Sequence, residues 1–129
     1  MTILVVGQNP GTSNPRSVNS TIYRLHAWMA SIGVEQFNFT NCSLVSGKFR
    51  LSDVDFTRLL SLVARHSHII CLGNLASDCL SRINISHFKL PHPSGLNRQI
   101  NDEKYIANQL SKCREFLDDG SSNCSSRCR

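Results

Sequence analysis

Strand-like apolar runs alternate with stretches of helical periodicity along almost the whole of this 129-residue chain. Residues 3–6 (Ile-Leu-Val-Val) form a short, β-branched run that gives way at once to a Gly/Asn/Pro turn, the mark of a buried strand. Ile22, Leu25, Met29 and Ile32 then recur at helical spacing behind Ser20, a residue suited to capping, and Gly33 closes that helix. Residues 34–40 read as a second strand, and residues 41–51 as a polar loop with Gly47, Lys48 and Arg50. Ser52 or Asp53 is placed to cap a second helix with Phe56, Leu59, Leu60 and Val63 on one face. Residues 68–72 make a third strand, and residues 74–83 a third helix with Leu75, Cys79 and Leu80 inward. Residues 86–90 make a short fourth strand. Residues 102–116 form a last helix that turns Tyr105, Ile106 and Leu110 inward, with Leu117 just beyond.

Strands separated by helices of this length are joined by crossovers, and crossovers make parallel sheets covered by helices. The sequence therefore predicts an α/β fold, a three-layer sandwich around a four-stranded parallel sheet. One domain over residues 1–118 matches the length. Residues 119–129, rich in Ser and Cys and without periodicity, read as a disordered tail.

The apolar fraction, 40%, is too high for a disordered chain, and no apolar run is long enough to cross a membrane. The amino terminus carries no basic leader, so a cytoplasmic protein is expected. In that compartment Cys42, Cys71, Cys79 and Cys113, scattered among apolar segments, are expected to be reduced. Cys124 and Cys128 have no matching second pair, and His66 and His68 lack the further ligands that zinc needs, so no metal and no cofactor are predicted. The net charge of +5 and pI near 9.1 favour a polyanionic partner such as nucleic acid.

Two loops carry polar groups that a core does not need. Gly7-Gln8-Asn9-Pro10-Gly11 follows the first strand, and His92-Pro93-Ser94-Gly95-Leu96-Asn97-Arg98 follows the fourth. In open α/β sheets ligands bind outside the carboxyl ends of the strands, which puts both loops, and Asn74 after the third strand, on one edge. Asn9 offers an acceptor and two donors but no useful basicity, so it suits holding a water better than deprotonating one. The alternative is a turn residue bonding its own backbone. His92 lies between Pro91 and Pro93, which stiffen the loop and hold the imidazole where it can face charge developing on a leaving group. Ser94, Asn97 and Arg98 are suited to phosphate oxygens, Gly95 to close backbone approach, and Leu96 is an apolar residue at the crest of a polar loop. The Gly7–Gly11 stretch is one residue short of a phosphate-binding P-loop and lacks its lysine.

Together these loops resemble the paired motifs of the uracil-DNA glycosylase superfamily. Gly7-Gln8-Asn9-Pro10-Gly11 is similar to its water-activating motif, in the Asn form of the mismatch-specific and single-strand-selective branches. The His92 to Arg98 stretch is similar to its minor-groove intercalation loop. Arg24-Leu25-His26-Ala27-Trp28, Phe39-Thr40-Asn41 and residues 69–76 fall in the family's order and approximate spacing. The resemblance covers residues 2 to about 117. It implies a uracil-DNA glycosylase-like sandwich and base flipping, in which a nucleotide leaves the stack and enters a pocket. By this resemblance Asn9 positions the hydrolytic water and His92 stabilises the departing base. Gly7, Gln8, Pro10 and Gly11 line the base site. Asn74 reads the base edge, and Phe39 or Phe37 supplies a stacking face. Leu96 wedges into the stack while Ser94, Gly95, Asn97 and Arg98 grip the DNA backbone. The implied protein is a monomeric DNA glycosylase with DNA, a nucleotide or a modified base as its partner. It acts on uracil or on a mismatched or modified base. The alternative is a non-catalytic module that binds a nucleotide or nucleic acid in the same pocket, for example to sequester a nucleotide-derived signal. The family's iron–sulfur branches hold four cysteines at positions that these six do not match.

Overall fold

A computed structural model describes residues 2–9, 21–93 and 101–118. Pro10, Gly11, Ser20, the 94–98 part of the His92 loop and the 119–129 tail lie outside the described residues. Four strands, β1 (Ile3–Gly7), β2 (Asn38–Asn41), β3 (His68–Leu72) and β4 (Phe88–Leu90), form one sheet in the order β2-β1-β3-β4. Every pairing is parallel, with Val5 opposite Phe39 and Ile70, and Ile70 opposite Phe88. Four helices alternate with the strands: α1 (Thr21–Ser31), α2 (Phe56–Val63), α3 (Gly73–Arg82) and α4 (Glu103–Asp118).

β1 and β3 are the central strands, and every residue of both is buried. That is why each reads as an unbroken apolar run and not as an alternation. Residue parity sends Ile3, Val5, Ile70, Leu72 and Leu90 to one face, where Leu25 and Met29 of α1 and Ile106, Leu110 and Leu117 of α4 cover them. Leu4, Val6, Ile69 and Cys71 go to the other face, against Leu59 and Val63 of α2 and Ala76, Cys79 and Leu80 of α3. The result is helices on both faces of a parallel sheet. Truncating a buried side chain such as Leu59 to Ala would cost about 2–5 kcal/mol.

Several local expectations are corrected. The second strand is four residues, Asn38–Asn41, and not 34–40, because an edge strand is kept only where β1 offers hydrogen bonds. A 3₁₀ turn occupies Leu51–Asp53, so neither Ser52 nor Asp53 caps α2. Asp55 does, its side chain accepting from the Arg58 amide at 3.0 Å. Ile22, Leu60 and Leu75 are exposed and not inward, since each helix buries a stripe narrower than its apolar spacing allows. The fourth strand begins at Phe88 and not at residue 86. His66 lies in the turn ahead of β3 and bonds Asn38 and the Leu62 carbonyl, while His68 is buried at the strand's start. Cys42, Cys71, Cys79 and Cys113 are free thiols buried in the two clusters.

Candidate functional site

The order β2-β1-β3-β4 has its switch point between β1 and β3: the chain leaves β1 toward one edge of the sheet and β3 toward the other. Such a fold opens a crevice at the carboxyl ends of those two strands. Here both ends carry glycine, and in each case a ring from the neighbouring edge strand occupies the space. A Cβ on Gly7 would fall 2.6 Å from Asn41 Oδ1 and 2.9 Å from Phe39 Cζ. A Cβ on Gly73, which also holds φ at +84°, would fall 3.3 Å from His92 Cβ and 3.5 Å from its Cδ2. Phe39 thus leans in from β2 over β1, and His92 leans in from the end of β4 over β3. Their supports are adjacent strands about 4.8 Å apart.

Parity puts these groups on one face. Phe39 and Asn41 pair with Val5 and Gly7, on the side covered by α1 and α4. His92 follows Phe88 and Leu90, which belong to the same side. Phe39 keeps 37% of its surface open, whereas Phe37, two residues earlier, packs on the core with its ring 4.9 Å from that of His26. Phe37 also lines a cavity of about 470 Å³ at the opposite, amino-terminal edge, together with Thr2, Glu35 and Asn38. That cavity contains neither Asn9 nor His92.

His92 is half-buried between the buried Pro91 and Pro93. Burial pulls its pKa below the usual histidine value, so the imidazole is neutral at pH 7. The loop behind it is anchored by Arg24 of α1, whose guanidinium donates to the Pro93 carbonyl at 2.9 Å.

Asn9 is fixed by three hydrogen bonds. Its amide nitrogen donates to the Val45 carbonyl (3.1 Å) and the Gly47 carbonyl (2.7 Å), and its Oδ1 accepts from Gln8 Nε2 (3.1 Å). With both N–H groups so used, the carbonyl oxygen is the part of Asn9 left with an open lone pair. The backbone nearby extends the sheet, since Cys42 and Ser43 donate to the Gly7 and Gln8 carbonyls. Arg58 of α2 ties down the end of β2, donating to Thr40 Oγ1 and to the Asn41 and Cys42 carbonyls.

Of the residues singled out by sequence, the fold brings Gly7, Phe39 and His92 to the crevice, with Gln8 and Asn9 at its β1 rim. Asn74 is directed elsewhere: its Oδ1 accepts from Lys89 Nζ at 2.8 Å, and Lys89 pairs with Cys71, whose side chain lies on the α2/α3 face. Pro10, Gly11, Ser94, Gly95, Leu96, Asn97 and Arg98 are outside the described residues. Asn41, not singled out by the sequence as a contact residue, also reaches Gly7. The signal for it was present: it shares Phe39's parity and stands opposite a glycine. No protein-family model, curated protein or solved structure matches this chain.

Proposed function

We propose that this protein is a glycosidase of the uracil-DNA glycosylase type, which takes a flipped uracil or a modified or mismatched base from DNA and hydrolyses its N-glycosidic bond. The observation that carries the reading is that Phe39 and His92 each lie over a side-chain-free position, Gly7 and Gly73, at the carboxyl ends of adjacent strands. A flat ring is the ligand that suits a phenyl face to stack on and an imidazole N–H at its edge. Stacking on Phe39 would offset much of the few kcal/mol needed to unstack a base. The Asn41 amide, at the same level, offers a donor and an acceptor for a base edge.

As the glycosidic bond breaks, negative charge gathers on the base carbonyl oxygens. A neutral His92 donates an N–H to that oxygen, and its fixed position means that little reorganisation is needed as charge develops. The open lone pair on Asn9 Oδ1 orients a water toward the sugar carbon left cationic. Leu96 fills the gap in the stack, and Ser94, Gly95, Asn97 and Arg98 take the flanking backbone, roles that rest on the sequence alone.

The test is incubation with oligonucleotides holding uracil, mismatched or modified bases, followed by alkaline cleavage at abasic sites. Strand breaks are expected on at least one substrate, lowered about 10²-fold or more by His92→Ala, in line with loss of an electrostatic donor, and by Asn9→Ala. Absence of breaks on every substrate at excess protein overturns the reading.

A second reading has one observation in its favour: the Asn9 amide is already engaged by Val45, Gly47 and Gln8. A pocket whose Asn only braces the loops binds a nucleotide and leaves it intact. Under that reading a nucleotide raises the melting temperature and is recovered unchanged.

A further inference from the structure

The loop between β2 and α2 is fastened to the candidate site yet presents an outer surface that the pocket chemistry does not use. Asn9 holds it through the Val45 and Gly47 carbonyls, and Ser43, bonded to Gln8 and bridged to Val54, fixes its start. Phe49 packs into the α2/α3 cluster and anchors the middle. On either side of Phe49, Lys48 and Arg50 are exposed, and among the described residues neither side chain makes a hydrogen bond or an ion pair. The apolar chains of the loop are also outward: Leu44 is 63% exposed, Val45 51% and Leu51 40%. Single exposed apolar residues are ordinary, but three within one connection, two of them adjacent, call for a partner.

We propose that this loop is a binding surface for single-stranded nucleic acid, holding the strand that runs on from the base pocket. The inference rests on the reading of the Phe39–His92 crevice as a base site. Unpaired cations beside exposed apolar chains suit a single strand, whose phosphates meet Lys48 and Arg50 while its unstacked bases and sugars cover Leu44, Val45 and Leu51. A duplex hides those base faces. The chain's +5 charge acts in the same direction. Two carboxylates close the loop: Asp53 ends the 3₁₀ turn beyond Arg50, and Asp55 is occupied as the cap of α2.

The experiment is fluorescence anisotropy of a labelled single-stranded 12-mer over a salt series. Lys48→Glu combined with Arg50→Glu should weaken binding at least tenfold and lower the salt slope by about 1.4, two contacts at roughly 0.7 each. Leu44→Ser with Leu51→Ser should weaken binding and leave the slope unchanged. All four positions are exposed, so the variants should fold, and circular dichroism checks this. Binding of a uracil nucleoside, followed by thermal shift, should be unaffected in both. Unchanged oligonucleotide affinity in both variants, or tighter binding of duplex than of single strand, overturns the proposal. Loop-dependent oligonucleotide binding without any base release would instead sink the glycosidase reading and leave this surface standing.

Discussion

Gly7→Ala should displace the Phe39 ring at the proposed base site while leaving the fold in place. The new Cβ would sit 2.6 Å from Asn41 Oδ1 and 2.9 Å from Phe39 Cζ. Carbon–carbon contact is comfortable from about 3.5 Å, so the ring must retreat by roughly 0.6 Å, and the amide by a similar distance. Both obstructing atoms end rotatable side chains, and Phe39 is already 37% exposed, so the strain is relieved by swinging the ring outward. Overpacking costs about 1–3 kcal/mol in a closed core, and this open edge belongs at the lower end, about 1 kcal/mol. For a domain of this size that corresponds to roughly 3–6 °C in melting temperature. The effect on the site is larger. Aromatic stacking contributes about 1–3 kcal/mol per base, so loss of the Phe39 platform should weaken binding about 5- to 150-fold. The assay pairs thermal melting with nucleoside affinity and base release. Ile70→Val, a trim in the buried centre of β3 costing about 0.5–1.5 kcal/mol, serves as a stability-matched control with an intact site. Wild-type affinity and base release in Gly7→Ala would refute the reasoning, as would equal losses of function in Ile70→Val.

The other predictions concern charge and capping. His68 is buried with Nε2 unpartnered among the described residues and the edge of Phe116 against it; burial first, and the nearby amino-terminal charge second, lower its pKa. The unfolded chain therefore binds the proton more readily, so His68 contributes stability that is complete above pH 6.5 and is lost as the pH falls through the folded pKa. Melting temperature should drop from pH 6.5 downward, and His68→Leu should flatten that drop; an unaltered slope would contradict the assignment. Proton NMR of His92 should give a titration midpoint below 6.5, and a midpoint at or above it would remove the neutral donor from the mechanism. Asp55→Ala should cost about 0.5–2 kcal/mol in denaturant unfolding through loss of the α2 cap, and a change within error would show that the 3₁₀ turn alone starts the helix.

What could be read from the sequence follows from burial. β1 and β3 are covered on both faces, so their residues had to be continuously apolar, and both were found at nearly their full lengths. Placement of the His92 and Asn9 loops on one edge needed only the alternation of strands and helices. Edges were less legible. β2 pairs only with β1, so its pattern is weak and its start was misplaced. Phe37 and Phe39 have the same parity, and only their heights along the chain separate them: one ring meets the exposed His26 at the amino-terminal edge, the other Gly7 at the crevice. The tether from Asn9 to Val45 spans 36 residues of chain and leaves no local signal. Asn74 looked well placed because it follows β3, but the first turn of α3 directs it to Lys89.

The central claim is that a flat base lies between Phe39 and His92. A crystal structure with uracil or a uracil nucleoside bound tests it most directly. The account predicts the base ring stacked on Phe39, with a carbonyl oxygen within hydrogen-bond reach of His92 and its edge facing Asn41. A base bound at the amino-terminal edge between His26 and Phe37, or one at the crevice with its carbonyls turned away from His92, would contradict it.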